Sequence, residues 1–182
     1  MKTDLSTYNN SWYTPGSRLK RLLWYFVNEV FFKSGLLPIS GLKVFLLRLF
    51  GAKIGAGVII KPNVNIKYPW MLSIEDHCWI GEAVWIDNLD TVTIESNVCL
   101  SQGAFLLCGN HNYKSTSFDL IVKPIVLKEG AWIGAKSIVG PGVTVFEHAI
   151  LSIGSATSVD LEAYGIYRGN PAHKVNQREI LN

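Results

Sequence analysis

The chain has 182 residues, enough for one domain with appendages and too few to suggest two full domains. Its hydrophobic content of 48% against 17% charged residues excludes a disordered polymer. A net charge of +3, carried by scattered basic residues, offers no basic stripe to nucleic acid. Three cysteines, Cys78, Cys99 and Cys108, form no CxxC pair and argue against a disulfide framework, which fits a reducing cytoplasm.

The opening MKTDLSTYNNSWYTPGSR has no apolar stretch behind a basic start and does not read as a signal peptide. LLWYFVNEVFF (22–32) and LKVFLLRLF (42–50) follow, each well short of the ~18 apolar residues of a spanning helix. Asn28 and Glu29 interrupt the first of them. The two runs predict short helices packed on the main body. A second reading of residues 17–50 is a peripheral membrane contact at the inner face, with Arg18, Lys20, Arg21, Lys43 and Arg48 at the lipid headgroups. The sequence leaves both open.

From residue 54 the chain counts in sixes. IGAGVI (54–59), IKPNVN (60–65), IEDHCW (74–79), IGEAVW (80–85), IESNVC (94–99) and LSQGAF (100–105) share one template, which resumes at LKEGAW (127–132) and runs through LSIGSA (151–156). An aliphatic residue leads each hexad, and a small or β-branched residue follows four places later. Such a period predicts a parallel β-helix in which three hexads form a triangular coil. Leading residues stack inward, small fifth residues fit the corners, and Gly, Asn and Asp supply turns of positive φ. A β-sandwich, with strands recurring every ~8–12 residues, does not fit this count. The expected organisation is a helical extension (1–53), a β-helix (54–161) with an excursion at about 107–123, and a C-terminal tail (162–182).

The excursion CGNHNYKSTSFDL (108–120) sets His111 between Asn110 and Asn112, with Tyr113 next. A loop can leave a β-helix without disturbing the coils. A histidine on it suits general-base chemistry, because an unperturbed imidazole, pKa about 6.5, is largely neutral near pH 7. His77 and His148 fall at turn positions inside hexads and read as solvent-facing. The histidines are too dispersed to form a metal set, so no metal is expected.

Together, the hexads, the stretch SQGAFLLCGNHNYKSTSFDLIVKPIVLKEGAWIGA (101–135) and the ending AILSIGSATSVDLEAYGIYRGNPAHKV (149–175) resemble the left-handed β-helix hexapeptide-repeat acyltransferases. The likeness is to the sugar O-acetyltransferases of the colanic acid biosynthesis type, and it extends to YTPGSRLKRLLWYFVNEVFF (13–32). The resemblance implies a homotrimeric, acetyl-CoA-dependent enzyme that acetylates a hydroxyl of a sugar or glycan precursor. His111 falls where the family's catalytic histidine lies.

Other roles follow from that likeness. The backbone N–H of Ala135 would face the oxyanion. Trp132, Ile153, Ser158, Arg168, His173 and Lys174 are candidate coenzyme contacts. Asp87, Asn88 and Tyr113 are candidates for the acceptor, and Asp119 for anchoring the loop. The chain departs from the family where SIGSATSVD replaces GAGSVVTKD, so that Val159 stands in place of a lysine near the coenzyme phosphates. The same sequence features are open to two alternatives, an N-acetyltransferase acting on an amino-sugar nucleotide and a non-catalytic β-helix binding protein.

Overall fold

A computed structural model describes residues 2–181. The hexads form a left-handed parallel β-helix of about six turns whose strands stack into three sheets, one on each face of a triangular prism. Face one carries the strands Lys53–Ile54, Leu72–Ile74, Val92–Ile94, Ile125–Leu127 and Thr144–Val145. Face two carries Ile59–Ile60, Trp79–Ile80, Cys99–Leu100, Trp132–Ile133, Ile150–Leu151 and Gly165–Gly169. Face three carries Asn65–Ile66, Trp85–Asp87, Phe105–Leu107, Ile138–Val139 and Ala156–Thr157. Every lead residue from Ile60 to Leu151 is buried, and so are the small fifth residues, including Ala104, Ser137 and Ser155. Each coil hides its apolar column only by stacking on its neighbours.

The fourth residue of every hexad has positive φ, whether glycine (Gly57, Gly103, Gly130, Gly142, Gly154) or not (Asn63, His77, Ala83, Asn97, Lys136, His148). Turn N–H groups bond down the stack: His77 N to Ala56 O, Asn97 N to Asp76 O, Gly130 N to Ser96 O and His148 N to Glu129 O. Bulky turn residues sit over glycines. A Cβ on Gly130 would lie 2.1 Å from His148 Nδ1, and one on Gly57 would lie 2.5 Å from His77 Nδ1. His77 is exposed, whereas His148 is half-buried, with its ring 4.9 Å from Tyr164.

The N-terminal region forms helix α1 (Arg18–Val27), which continues as one π-helical turn (Asn28–Phe32), and helix α2 (Ser40–Leu49). Ser17 caps α1 by accepting from Lys20 N. An open first coil would leave a row of unpaired backbone groups, and side chains of this region satisfy them. Trp24 Nε1 donates to Ile66 O, Asn28 Oδ1 accepts from Ile66 N, and Ser40 Oγ accepts from Ile60 N. Lys43 Nζ donates to Lys61 O, and Arg48 donates to Ile54 O and Gly55 O. This corrects the expected headgroup set. Lys43 is 1% exposed, Arg48 is tied to the coil edge, and Lys20 lies over the Trp70 ring. Asn28 interrupts its apolar run because it faces the coil. The outward side of α1 is instead apolar: Leu19, Leu22, Leu23 and Phe26, with Val30 in the π-helical turn, are each more than half exposed. No helix among the described residues is long and apolar enough to cross a membrane.

At the other end, Gly165–Gly169 joins face two in parallel, and Ala172–Gln177 folds back on it antiparallel. Within the expected tail, Gly165–Gly169 and Ala172–Gln177 therefore close the stack with paired strand.

Candidate active site

The excursion is a β-hairpin. Gly109–His111 pairs antiparallel with Leu120–Val122, and Lys123 N closes its base on Cys108 O. Cys108 is buried, which pushes its thiol up to about 12, and its N–H donates to Asp87 O. At the tip, Asp119 accepts from Ser115 Oγ at 2.8 Å and Ser117 Oγ at 2.7 Å. Those bonds, Ser117's the stronger influence, hold its carboxyl below the usual range. Asp119 thus has the structural place expected of a loop anchor. Asp4 N donates to Thr116 O, so the N-terminal segment is tied to the hairpin.

His111 is half-buried. Its ring stacks on Phe118 at 4.4 Å between centroids and 8° between planes, and Tyr8 lies 5.8 Å away. Its Nδ1 is 2.9 Å from Phe118 O. A carbonyl can only accept, so Nδ1 carries the proton. In the neutral ring Nε2 is then the free lone pair. The ring borders a cavity of about 350 Å³ whose walls include Tyr8, Tyr13, Arg21, Lys67 and Tyr68. Tyr13 Oη donates to Leu89 O at 2.6 Å, and burial raises its hydroxyl well above the usual phenol range.

The three residues expected at the acceptor fall in different places. Asn88 is fully buried, accepting from Tyr68 N at 3.0 Å and donating to Tyr68 O at 2.6 Å, so it clamps one coil to the next. Asp87 is 7% exposed and borders a second cavity that shares Arg21, Lys67 and Tyr68 with the first. Lys67 Nζ lies 2.9 Å from Asp87 Oδ1 but off hydrogen-bonding angles, so the contact is an ion pair without a directed bond. Tyr113 is 76% exposed and does not line the His111 cavity.

A separate, mostly apolar groove of about 490 Å³ runs along face two and its corner with face three. It gathers three of the candidate coenzyme residues, Trp132, Ala135 and Ile153, together with Ser101, Gln102 and Ile166. Trp132 Nε1 donates to Ser101 Oγ, which fixes the indole across the groove, and Ala135 N donates to no described residue. Ser158, Arg168, His173 and Lys174 are exposed and lie outside it. Arg168 is two residues beyond Ile166 on one strand, so it extends the same side of face two. Lys174 is held by Glu162 at 2.7 Å. Sequence reasoning missed Tyr8, Lys67 and Phe118, and set Arg21 among the headgroup residues instead of beside His111. No group of three or more His, Cys, Asp or Glu able to hold a metal occurs among the described residues.

A prism of hexads with an apolar groove at one corner and a histidine hairpin at another defines a hexapeptide-repeat acyltransferase. No family model matches the chain. It is 36% identical over 163 residues, 90% of both chains, to the protein named for colanic acid biosynthesis acetyltransferase WcaF in Escherichia coli K12. A hexapeptide-repeat acetyltransferase of Vibrio cholerae O1 biovar eltor, solved with acetyl-coenzyme A, has the same fold. Its TM-score is 0.79 at 18% identity, covering 89% of this chain and 88% of that one. A galactoside acetyltransferase solved with coenzyme A gives 0.77 at 22% identity, covering 87% and 80%. The chain belongs to the WcaF-type family of hexapeptide-repeat acetyltransferases.

Proposed function

We propose that the protein transfers an acetyl group from acetyl-CoA to a hydroxyl of a sugar or exopolysaccharide precursor, with His111 as general base. The observation that carries the reading is the Nδ1 bond to Phe118 O, which leaves Nε2 as the acceptor beside a cavity. In the reaction, Nε2 takes the hydroxyl proton while the oxygen attacks the thioester carbonyl. The tetrahedral oxyanion accepts from the unengaged Ala135 N–H. Its collapse breaks the C–S bond, and the imidazolium returns the proton to the CoA thiolate. The products are an acetyl ester and CoA.

The hairpin leaves the prism between faces three and one, whereas the groove lies between faces two and three. One chain therefore holds the base and the groove at different corners, and a closed three-fold ring brings one chain's histidine to its neighbour's groove. The outward columns support such a ring. Face one shows Lys53, Ser73, Thr93, Val126 and Thr144, largely polar, while face two shows Ile59, Trp79, Trp132 and Ile150 and face three Trp85, Phe105 and Ile138. A cyclic trimer needs two unlike surfaces per subunit.

The test compares wild type with His111→Ala by CoA release across sugars, nucleotide sugars and an amino-sugar nucleotide. The expected result is acceptor-dependent release that falls by ~10² or more in a variant of unchanged oligomeric state. Full activity in the variant sinks the reading, and a preference for the amine favours N-acetylation.

The apolar outer side of α1 supports contact with the cytoplasmic leaflet, where a ring of parallel prisms would point all three helical caps one way. Vesicles of phosphatidylethanolamine and phosphatidylglycerol should co-float the wild type and lose Leu22→Ser/Phe26→Ser. Equal flotation of both refutes that contact.

A further inference from the structure

Helix α1 has one polar residue on its buried side next to the His111 cavity, and nothing in the fold uses it. Arg21 lines both the cavity containing His111 and the adjoining one. Its guanidinium makes no ion pair and no hydrogen bond with described residues, and its Nε is shut off from solvent without a partner. Every other polar group that this region turns toward the coils, from Trp24 to Arg48, caps a backbone edge. A charge held half out of water without a partner is destabilising, so its place on the cavity wall points to something that completes it.

Lys67 stands on the same wall. Its ion pair with Asp87 lacks a directed bond, and Asp87 belongs to the adjoining cavity rather than to the one with His111. No carboxylate lines the His111 cavity among the described residues, whose only charged walls are Arg21 and Lys67. Glu29, the other acid near Arg21, is occupied by Lys33.

Resting on the acetyl-transfer reading, we propose that the acceptor is an acidic sugar, whose oxyanion sits on Arg21 and Lys67 while a hydroxyl of the same ligand reaches His111 Nε2. The planar fork of a guanidinium suits two oxygens of one phosphate or carboxylate, and the lysine adds a point charge. A sugar phosphate, the diphosphate of an activated sugar and a uronic acid all offer that chemistry. The aromatic walls Tyr8, Tyr13 and Tyr68 give the sugar ring apolar faces to lie against.

The experiment has two readouts. The first is the ratio of kcat/KM for a charged acceptor to that for the matched neutral methyl glycoside. Charged partners are a sugar 1-phosphate, a nucleoside diphosphate sugar and a glycuronide, and the best of the three identifies the source of the oxyanion. The ratio should be at least ~10 in wild type and fall about tenfold in Arg21→Gln, because a charge-assisted bond is lost. A general loosening of the fold lowers both rates and leaves the ratio alone, so an unchanged ratio overturns the proposal.

The second readout is calorimetric binding of each charged sugar to wild type and Arg21→Gln without acetyl-CoA. It does not depend on turnover. Binding weakened in Arg21→Gln supports the anion site even if no acetyl transfer occurs, in which case the acetyl-transfer reading fails and only the binding of an acidic sugar at Arg21 stands. Equal binding of charged and neutral sugars to wild type overturns the site whatever the turnover shows.

Discussion

Two histidines in this molecule, His148 and His111, show how differently a coil corner and the hairpin treat the same side chain. His148 sits at a turn of positive φ, over Gly130 and against Tyr164, with its N–H bonded to Glu129 O in the coil below. Its ring fills space that the next coil leaves. His111 has one stacked neighbour, one carbonyl that fixes its proton, and a cavity on its remaining side. A corner uses an imidazole as a spacer. The hairpin holds one nitrogen and leaves the other open, which is the arrangement proton transfer requires.

That contrast can be broken at either end. The larger effect belongs to the corner. Gly130→Ala adds a Cβ 2.1 Å from the His148 ring at a left-handed position and should lower Tm by about 4–8 °C in thermal denaturation. The φ alone is tolerable, since Ala83 holds φ 56° at the matching place in another coil. The double variant Gly130→Ala/His148→Ala should therefore recover a large part of the loss. Additive losses would mean that crowding by His148 is not the cause.

The smaller effect belongs to the hairpin. Asp119→Asn should leave Tm within about 2 °C of wild type, because the hairpin adds little to the stack. It should also speed tryptic cleavage at Lys114 above pH 5. The sign follows from the lowered pKa of Asp119: its serine bonds stabilise the hairpin above the ordinary carboxylate range and are lost as pH falls through the folded value. Wild-type and Asn hairpins should thus become alike in acid. Cleavage of the wild-type hairpin by pepsin, which works in acid, that stays flat as pH falls through the carboxylate range excludes Asp119 as the tether.

The coils were legible in the sequence because each hexad repeats one local rule: an inward aliphatic, a small corner residue and a turn. Even the positive φ at Asn97 and Gly103 was readable by residue type. The hairpin was legible as an interruption, and His111 as its titratable group. The cavity around that histidine was not, because Tyr8, Arg21 and Lys67 lie on segments far from His111 in the chain. One signal was available. Arg21 falls off the Leu19–Leu22–Leu23–Phe26 stripe of α1, which a helical wheel would have flagged. The place of Asn88 was not legible for a general reason: a polar residue at a coil corner looks the same in sequence whether it faces outward or, as here, bonds the backbone of Tyr68.

The base of the hairpin has a consequence for how such enzymes diversify. Cys108 and Lys123 meet across one backbone bond, so everything between them is an insertion that enters and leaves the prism at nearly one point. Its length and side chains can drift through evolution without shifting a single coil register. The groove is woven from the coils themselves and has no such freedom. A change in the hairpin therefore leaves the groove intact, while a change in the groove is a change in the coils.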